Sequence, residues 1–252
     1  MEIKQLTGNE IQDAYRFCKE VFLQTENFFS SPEEAKPFLE SVDHFTAQMD
    51  FVGAYEKELG GVIGYDRDTY ALLLFLMKEE QGKEELFQYF LEIVKKTNIA
   101  RIGALVTPSA QPFYESLGFE QVEQQQEQNG IAYVVMEYLL QKEYLGKQVT
   151  VTIDHPYGSL HPHLGDIYFT CNYGYVDELL SKEGAFQDAY VVGIEEPMET
   201  FKGIVIGILY RKNEQESKWL VAKDNKYKKD EVIKEIAFQE QFYDSRIEWY
   251  EG

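Results

Sequence analysis

Two kinds of residue in this chain could do chemistry by their type and spacing. One is a histidine group, His155, His161 and His163, within a few residues of Asp154 and Asp166. His161-x-His163 puts two imidazoles on one side of an extended chain, and with Asp154 or Asp166 they could hold a transition metal; the alternative is ordinary surface-loop histidines. The other is the pair Phe113-Tyr114, which precedes Gly118 and follows an apolar strand. A phenol held on a short helix can donate a proton to a leaving group, and the same pair can equally be core aromatics closing a helix. Asp66, Asp68 and Glu79 flank the apolar run Tyr70–Met77 and are candidates for a general base by position, or else solvated surface acids. Cys18 and Cys171 are too far apart in sequence to suggest a disulfide or metal framework, and Cys18 reads as a core thiol.

The elements that must position these groups fall into two styles. Up to residue 142 strands and helices alternate. Glu2–Leu6 is a strand, and Asn9 is a candidate cap for a helix over Glu10–Leu23, where Ile11, Ala14, Tyr15, Cys18, Val21 and Phe22 share a face. A second helix opens at Ser31-Pro32-Glu33-Glu34. Phe51–Tyr55 and Leu59–Tyr65 form a hairpin-like pair, and Tyr70–Met77 is apolar throughout, as a central strand would be. Lys83–Lys96 is a helix, Ile102–Val106 a buried strand, Ser109–Leu117 a short helix stopped by Gly118, and Ile131–Leu140 a closing strand. The polar stretch before it reads as half of a hairpin. From Val149 onward short strands dominate: Val149–Ile153, Ile167–Thr170, Ala189–Ile194, Ile204–Tyr210 and Trp219–Val221, with one helix at Lys229–Gln241. The fold class expected is α+β: a mixed sheet with helices over 1–142, a connector at 143–147, and a small β-barrel with a C-terminal helix over 148–252.

Composition narrows the partners. The chain has 252 residues, 44% hydrophobic and 15% aromatic, enough for a sizeable core. Lys+Arg is 24 and Asp+Glu is 44, a formal charge of −20. That balance argues against nucleic acid and anionic membrane as partners, and favours cationic ligands or simply solubility. No apolar run approaches the roughly 20 residues of a membrane span, and the first residues lack a signal-peptide pattern, so a cytoplasmic setting is expected.

The segment Ala110-Gln111-Pro112-Phe113-Tyr114-Glu115-Ser116-Leu117-Gly118-Phe119 resembles the A-x-x-F-Y-x-x-x-G-F motif of the GNAT family of acyl-CoA-dependent acetyltransferases, and the order of elements around it fits as well. The resemblance covers about residues 1–140. It implies an N-acetyltransferase that takes acetyl-CoA and a small-molecule amine. Tyr114 would be the catalytic acid, and Gln81, Gly82 and Lys83 would border the pyrophosphate. The family's loop pattern, Q/R-x-x-G-x-G/A, keeps a second small residue where this chain has Glu84, followed by Glu85. Two carboxylates in a helix's first turn suit its dipole but repel a pyrophosphate. An acidic entrance would favour a cationic amine.

A second segment, Tyr168-Phe169-Thr170-Cys171-Asn172-Tyr173-Gly174-Tyr175, is similar to the F-Y-P-x-N-Y-G-Y stretch of soluble family I inorganic pyrophosphatases. Glu183-Gly184-Ala185-Phe186-Gln187-Asp188 resembles that family's D-G-D-P-x-D run, and Glu216-Ser217-Lys218 its D-x-K element. The resemblance implies an OB-like barrel. Glu183, Asp188 and Glu216 would be ligands for Mg²⁺, and Tyr173, Arg211 and Lys218 would hold a phosphorylated ligand. Ala185 stands where the family has its central aspartate, Arg211 where it has another acid, and Phe242-Tyr243 where it has a Tyr-Lys pair. Ordinary pyrophosphate turnover is therefore expected to be low. Three readings follow: an acetyltransferase with a degenerate pyrophosphatase-like partner, a Mg²⁺-dependent phosphoanhydride hydrolase, or a non-enzymatic ligand-binding or regulatory protein.

Overall fold

The computed structural model describes residues 1–24, 49–79, 81–97, 99–128, 131–162, 165–176 and 186–252. The helix expected from Ser31 lies outside them. The chain divides into two units: Met1–Lys95 with Ile102–Tyr138, and Lys96–Arg101 with Leu139–Gly252.

The first unit is built on strands β1 (Glu2–Gln5), β2 (Met49–Tyr55), β3 (Leu59–Asp66), β4 (Leu72–Met77), β5 (Arg101–Val106), β6 (Glu120–Gln121), β7 (Gln126–Gln128) and β8 (Ile131–Leu139). Their order across the sheet is β1-β2-β3-β4-β5-β8-β6, with β7 also on β8. Helix α1 (Asn9–Gln24) buries Ala14, Phe17 and Cys18 against Phe51, Val62 and Leu74. Its start is closed by Glu10, whose carboxylate accepts the Thr7 N–H at 3.1 Å, so the capping pair is Thr7/Glu10 and Asn9 is already helical. Helix α2 (Lys83–Val94) buries Leu86, Phe87, Phe90, Leu91 and Val94, the face that its periodicity predicts. Helix α3 (Gln111–Ser116) begins with Pro112 in its first turn and ends where Gly118 takes φ +96°, a left-handed conformation that stops the helix without a side-chain clash.

What matters for a site is the middle of this sheet. β3 and β4 pair antiparallel from Tyr65↔Leu72 to Gly61↔Met77. β4 and β5 run parallel and pair only at Leu72↔Ala104 among the described residues. Past that point the two strands part, and the later residues of β4 have no strand partner on the β5 side.

Burial in this unit has a consequence at high pH. The Cys18 thiol and the Tyr65 phenol are each pushed up to about 12 by desolvation. Unfolded, they would ionise near 9 and 10. Between those values the native state binds more protons than the unfolded one, so stability falls as pH rises. Thermal melts from pH 8 to 11 are expected to show a falling midpoint, each group contributing a slope of about 1.4 kcal/mol per pH unit above its unfolded value. In Cys18→Ala the part of the fall beginning at pH 9 is expected to vanish.

In the second unit β9 (Gln148–His155), β10 (Asn172–Val176), β11 (Gln187–Val191), β12 (Thr200–Arg211) and β13 (Ser217–Ala222) close into a barrel, because β12 pairs with both β9 and β13. β14 (Ser245–Trp249) adds to the far half of β12. Val151, Val176, Val191, Ile208, Trp219 and Val221 fill the interior. The alternate residues, Tyr190, Val192, Leu209 and Leu220, pack outward against Val232, Ile236 and Phe238 of α4 (Lys229–Glu240). The Asn-Tyr-Gly-Tyr run has a local structural cause. The Asn172 carbonyl oxygen accepts the Tyr157 N–H at 3.0 Å and its amide donates to the Glu196 carbonyl at 2.9 Å. A Cβ on Gly174 would lie 1.9 Å from the Thr152 carbonyl oxygen, so only glycine lets β9 and β10 approach at the register shift there.

Several expected boundaries differ. Ile167–Thr170 is not a strand; it contributes the single bridge Leu160↔Tyr168. β10 and β14 were not expected as strands: glycine interrupts one, and the other carries an acid and an arginine on a half-buried edge. Residues 143–147 are built into the second unit. Tyr144 rests on Trp219 with ring centroids 4.8 Å apart, and Gly146 N–H donates to the Val205 carbonyl at 2.9 Å. Residues 96–101 also count with this unit: Ala100 N–H donates to the Gln215 carbonyl at 2.9 Å, and the Arg101 guanidinium to those of Arg211 and Lys212.

Candidate active site

The strand gap in the first unit brings together three features. The first is the backbone of β4 beyond Leu72, which lacks a partner on the β5 side. The second is the N-terminus of α2. Gly82 caps it at φ +87° and, being glycine, supplies no side-chain cap. Glu84 and Glu85, both in this first turn, are exposed. The first-turn N–H groups and the helix dipole suit an anion at the head of α2. The Gly82 Cα is covered by Met1: a Cβ there would sit 2.6 Å from the Met1 methyl carbon. The third feature is aromatic. Phe113 meets Phe75 of β4 edge-on at 5.0 Å, and the Lys83 ammonium lies 5.1 Å from the centre of the same Phe113 ring. The sequence signals for Gly82, Lys83 and Phe113 thus converge. Gln81, also exposed, lines a cavity on the β3 side of the loop.

Tyr114 is buried, packed edge-on between Phe113 (5.4 Å) and Phe119 (5.3 Å). Its hydroxyl makes no hydrogen bond among the described residues. Burial pushes the phenol above the ordinary tyrosine range, so it keeps its proton at neutral pH. Asp66, a base candidate, is a turn residue: its carboxylate accepts from the Thr69 N–H, the Thr69 hydroxyl and the Asp68 N–H. Burial works against its charge, but those three donors outweigh it and hold its pKa below the usual value.

The second unit does gather the residues of the other resemblance on one barrel face, but as internal ion pairs. The Lys218 ammonium donates to Asp188 at 2.7 Å, with the lysine side chain 9% exposed. The Arg211 guanidinium donates to both oxygens of Glu240 at 2.6 and 3.1 Å and to Glu214 at 2.9 Å, and it stacks 3.6 Å from the centre of the Tyr243 ring. Desolvation opposes its charge, and the two carboxylates more than restore it. Tyr190 donates to Glu240 at 2.6 Å. Tyr173 stands beside Asp188, and burial first, then that carboxylate, raises its phenol. Arg211 and Lys218, the residues expected to hold a phosphate, are each matched by carboxylates of the unit itself. Asp188 faces an ammonium, Glu216 is exposed, and Glu183 lies outside the described residues. Glu240, the centre of the network, gave no sequence signal beyond its place in a helix. His161 and His155 lie stacked parallel to the Phe169 ring at 5.1 and 4.8 Å, and His163 is outside the described residues. Among the described residues no group of three or more His, Cys, Asp or Glu is arranged to hold a metal ion. No helix there is long and apolar enough to cross a membrane.

Comparison with known proteins agrees with the first unit. Residues 18–140 match the model of the acetyltransferase (GNAT) domain, and that match spans the strand gap, α2 and α3. The likeness to the GNAT acetyltransferase domain is thus confined to the first half of the chain. Among solved structures, the chain is similar to a GCN5-related N-acetyltransferase from Rhodopseudomonas palustris, with 10% identity, 55% of this chain and 94% of that one covered, and a TM-score of 0.46. It is similar as well to FeeM, an N-acyl amino acid synthase from uncultured soil microbes (16%, 56% and 91%, 0.43), and to Tetrahymena GCN5 (11%, 56% and 96%, 0.42). Comparison with curated proteins gives no match. None of these comparisons supports the pyrophosphatase likeness of the second half.

Proposed function

We propose that the first unit transfers the acetyl group of acetyl-CoA to the nitrogen of a small amine. The observation that carries this reading is the parting of β4 from β5 after a single pair among the described residues, beside the glycine-capped N-terminus of α2. An exposed strand edge offers amides and carbonyls to an extended chain such as pantetheine. The first-turn N–H groups at the head of α2, with the ammonium of Lys83, suit the diphosphate that follows it. Phe75 and Phe113 keep the gap apolar, which strengthens hydrogen bonds formed there.

In the transfer the unprotonated amine attacks the thioester carbonyl; a C–N bond forms, the C–S bond breaks, and sulfur leaves as thiolate. Tyr114 donates its proton to that sulfur as the C–S bond breaks, and the surplus proton on nitrogen passes through solvent to return the phenol to its protonated form. A phenol that burial keeps protonated at neutral pH holds the proton this role requires, and among the described residues its hydroxyl has no hydrogen-bond partner. The second unit is read as a non-catalytic barrel, since its own carboxylates neutralise the cations that an anion would need.

Titration calorimetry with the full chain tests the reading. Acetyl-CoA is expected to bind saturably. Gly82→Ala, which places a methyl group against Met1 in a left-handed backbone conformation, is expected to weaken binding about tenfold, roughly 1.4 kcal/mol. No heat and no thermal shift at millimolar acetyl-CoA would reject it.

A further inference from the structure

Among the described residues, the strands of the first unit expose two large apolar side chains, Leu73 at 47% and Leu105 at 68%. They are neighbours. β4 and β5 run parallel and pair at Leu72↔Ala104, and each leucine is the next residue on its strand. A single exposed leucine needs no account, but two side by side at the mouth of the gap do.

Two features of the backbone shape this point. The β3–β4 register skips Leu73: Gly64 pairs with Leu74 and Tyr65 with Leu72. An extra residue in one strand re-aims a side chain, and Leu73 is the extra residue here. On β5, Gly103 shares a face with Leu105, because alternate strand residues point the same way. A Cβ added at Gly103 would meet nothing within 4 Å, and its φ is outside the left-handed region. Neither packing nor the backbone requires glycine there, so beside Leu105 the strand offers an open floor. What reaches this point follows from lengths. The six residues of β4 span about 17 Å. Pantetheine, with its two amide links, is comparable to about four extended residues, roughly 14 Å. With the diphosphate at the head of α2, it runs along β4 toward Leu72. That brings its sulfur to the stretch beside Phe75, against which α3 carries Phe113 and then Tyr114. The acyl group on that sulfur then points on, past Leu73 and Leu105.

We propose that the donor site extends beyond the acetyl group: in preference to acetyl-CoA it takes the CoA thioester of a linear aliphatic acid of about six carbons, whose chain lies between Leu73 and Leu105 and over Gly103. The proposal rests on the acyl-transfer reading and names the donor class of that same site. Two strand rises, about 6.6 Å, separate Gly103 from Leu105. A six-carbon acyl chain extends about 6 Å from its sulfur and covers that distance, whereas acetyl stops at the leucines. The transfer itself is unchanged: nitrogen bonds to the carbonyl carbon, the C–S bond breaks, and the leaving sulfur takes the phenol proton. Each further methylene removed from water adds up to about fourfold in affinity.

Acetyl-CoA and hexanoyl-CoA, each titrated calorimetrically into the full chain, decide it. Hexanoyl-CoA is expected to bind at least about tenfold more tightly. Leu73→Asn/Leu105→Asn removes the apolar walls, and Gly103→Val fills the floor. Each is expected to bring the ratio of the two affinities close to one, with the melting temperature held, because all three positions face open space. Ile233→Asn, at an exposed apolar residue of α4, is expected to keep the wild-type ratio. Acetyl-CoA binding without a hexanoyl advantage overturns the proposal and leaves the acyl-transfer reading standing; binding of neither thioester overturns both. A hexanoyl advantage that survives Leu73→Asn/Leu105→Asn and Gly103→Val, or one that Ile233→Asn abolishes, puts the chain elsewhere and overturns the proposal. A wild-type dimer in analytical ultracentrifugation that Leu73→Asn/Leu105→Asn dissolves gives the leucines to a second copy of this chain and overturns it as well.

Discussion

Tyr114→Phe is expected to lower the rate of acetyl transfer by about 10²–10⁴-fold, the usual contribution of a positioned proton donor. The substitution removes one oxygen and keeps the ring that packs between Phe113 and Phe119. Because that hydroxyl has no partner among the described residues, its removal leaves no orphaned group, and the melting temperature is expected to hold within the small range of a volume-conserving change. Acetyl-CoA affinity is expected to hold as well, since the loop at Gly82 is untouched. The informative readout is therefore kcat against a constant dissociation constant, followed by thiol release. A variant with full kcat would remove Tyr114 from the mechanism and return it to the core. The pH profile adds a sign: a phenol held above its ordinary range stays protonated from neutral to mildly alkaline pH. No alkaline loss of rate from this group is expected below pH 10.

The largest stability effect is expected in the other unit. Arg211→Leu leaves Glu240, 7% exposed, with Tyr190 and Gln239 around it and no cation. Removing one partner of a buried pair typically costs about 3–5 kcal/mol, because the remaining charge is desolvated and unmatched. Thermal or denaturant unfolding of the second unit should show that loss. The double variant Arg211→Leu/Glu240→Leu is expected to recover much of it, because two apolar groups of similar size can replace a buried pair at little net cost. A single variant as stable as the wild type would mean that the network is relaxed by water and contributes little. Exposed pairs such as Lys228–Glu231 are expected to contribute far less when removed.

Much of the first unit was legible because its elements are periodic. The α2 face from Leu86 to Val94 and the β2–β3 hairpin both follow from spacing alone. Gly118 announced the end of α3, and Phe113-Tyr114 marked the element beside the gap. The gap itself was not legible, since two apolar strands read the same whether they pair along their length or at Leu72↔Ala104 only. In the second unit the motif residues were found, but their environment was not. Sequence shows Arg211 and Lys218 as basic residues near a motif. It does not show that Glu240, from a helix far along the chain, lies 2.6 Å from one and that Asp188 lies 2.7 Å from the other. Such pairings are non-local, and no periodicity encodes them. The connector expected at 143–147 failed for a similar reason: its polar composition suggested a linker, while Tyr144 supplied an aromatic anchor for Trp219.

The six residues from Lys96 to Arg101 are assigned to a different unit from the chain on either side of them. A ribosome therefore finishes the whole of the first unit before it makes Arg211 and Lys212, whose carbonyls receive Arg101. Until then this hexapeptide waits without its hydrogen-bonding acceptors. A gene cut once after residue 138 would strand it permanently, so any attempt to transplant one half into another protein has three chain boundaries to cut rather than one.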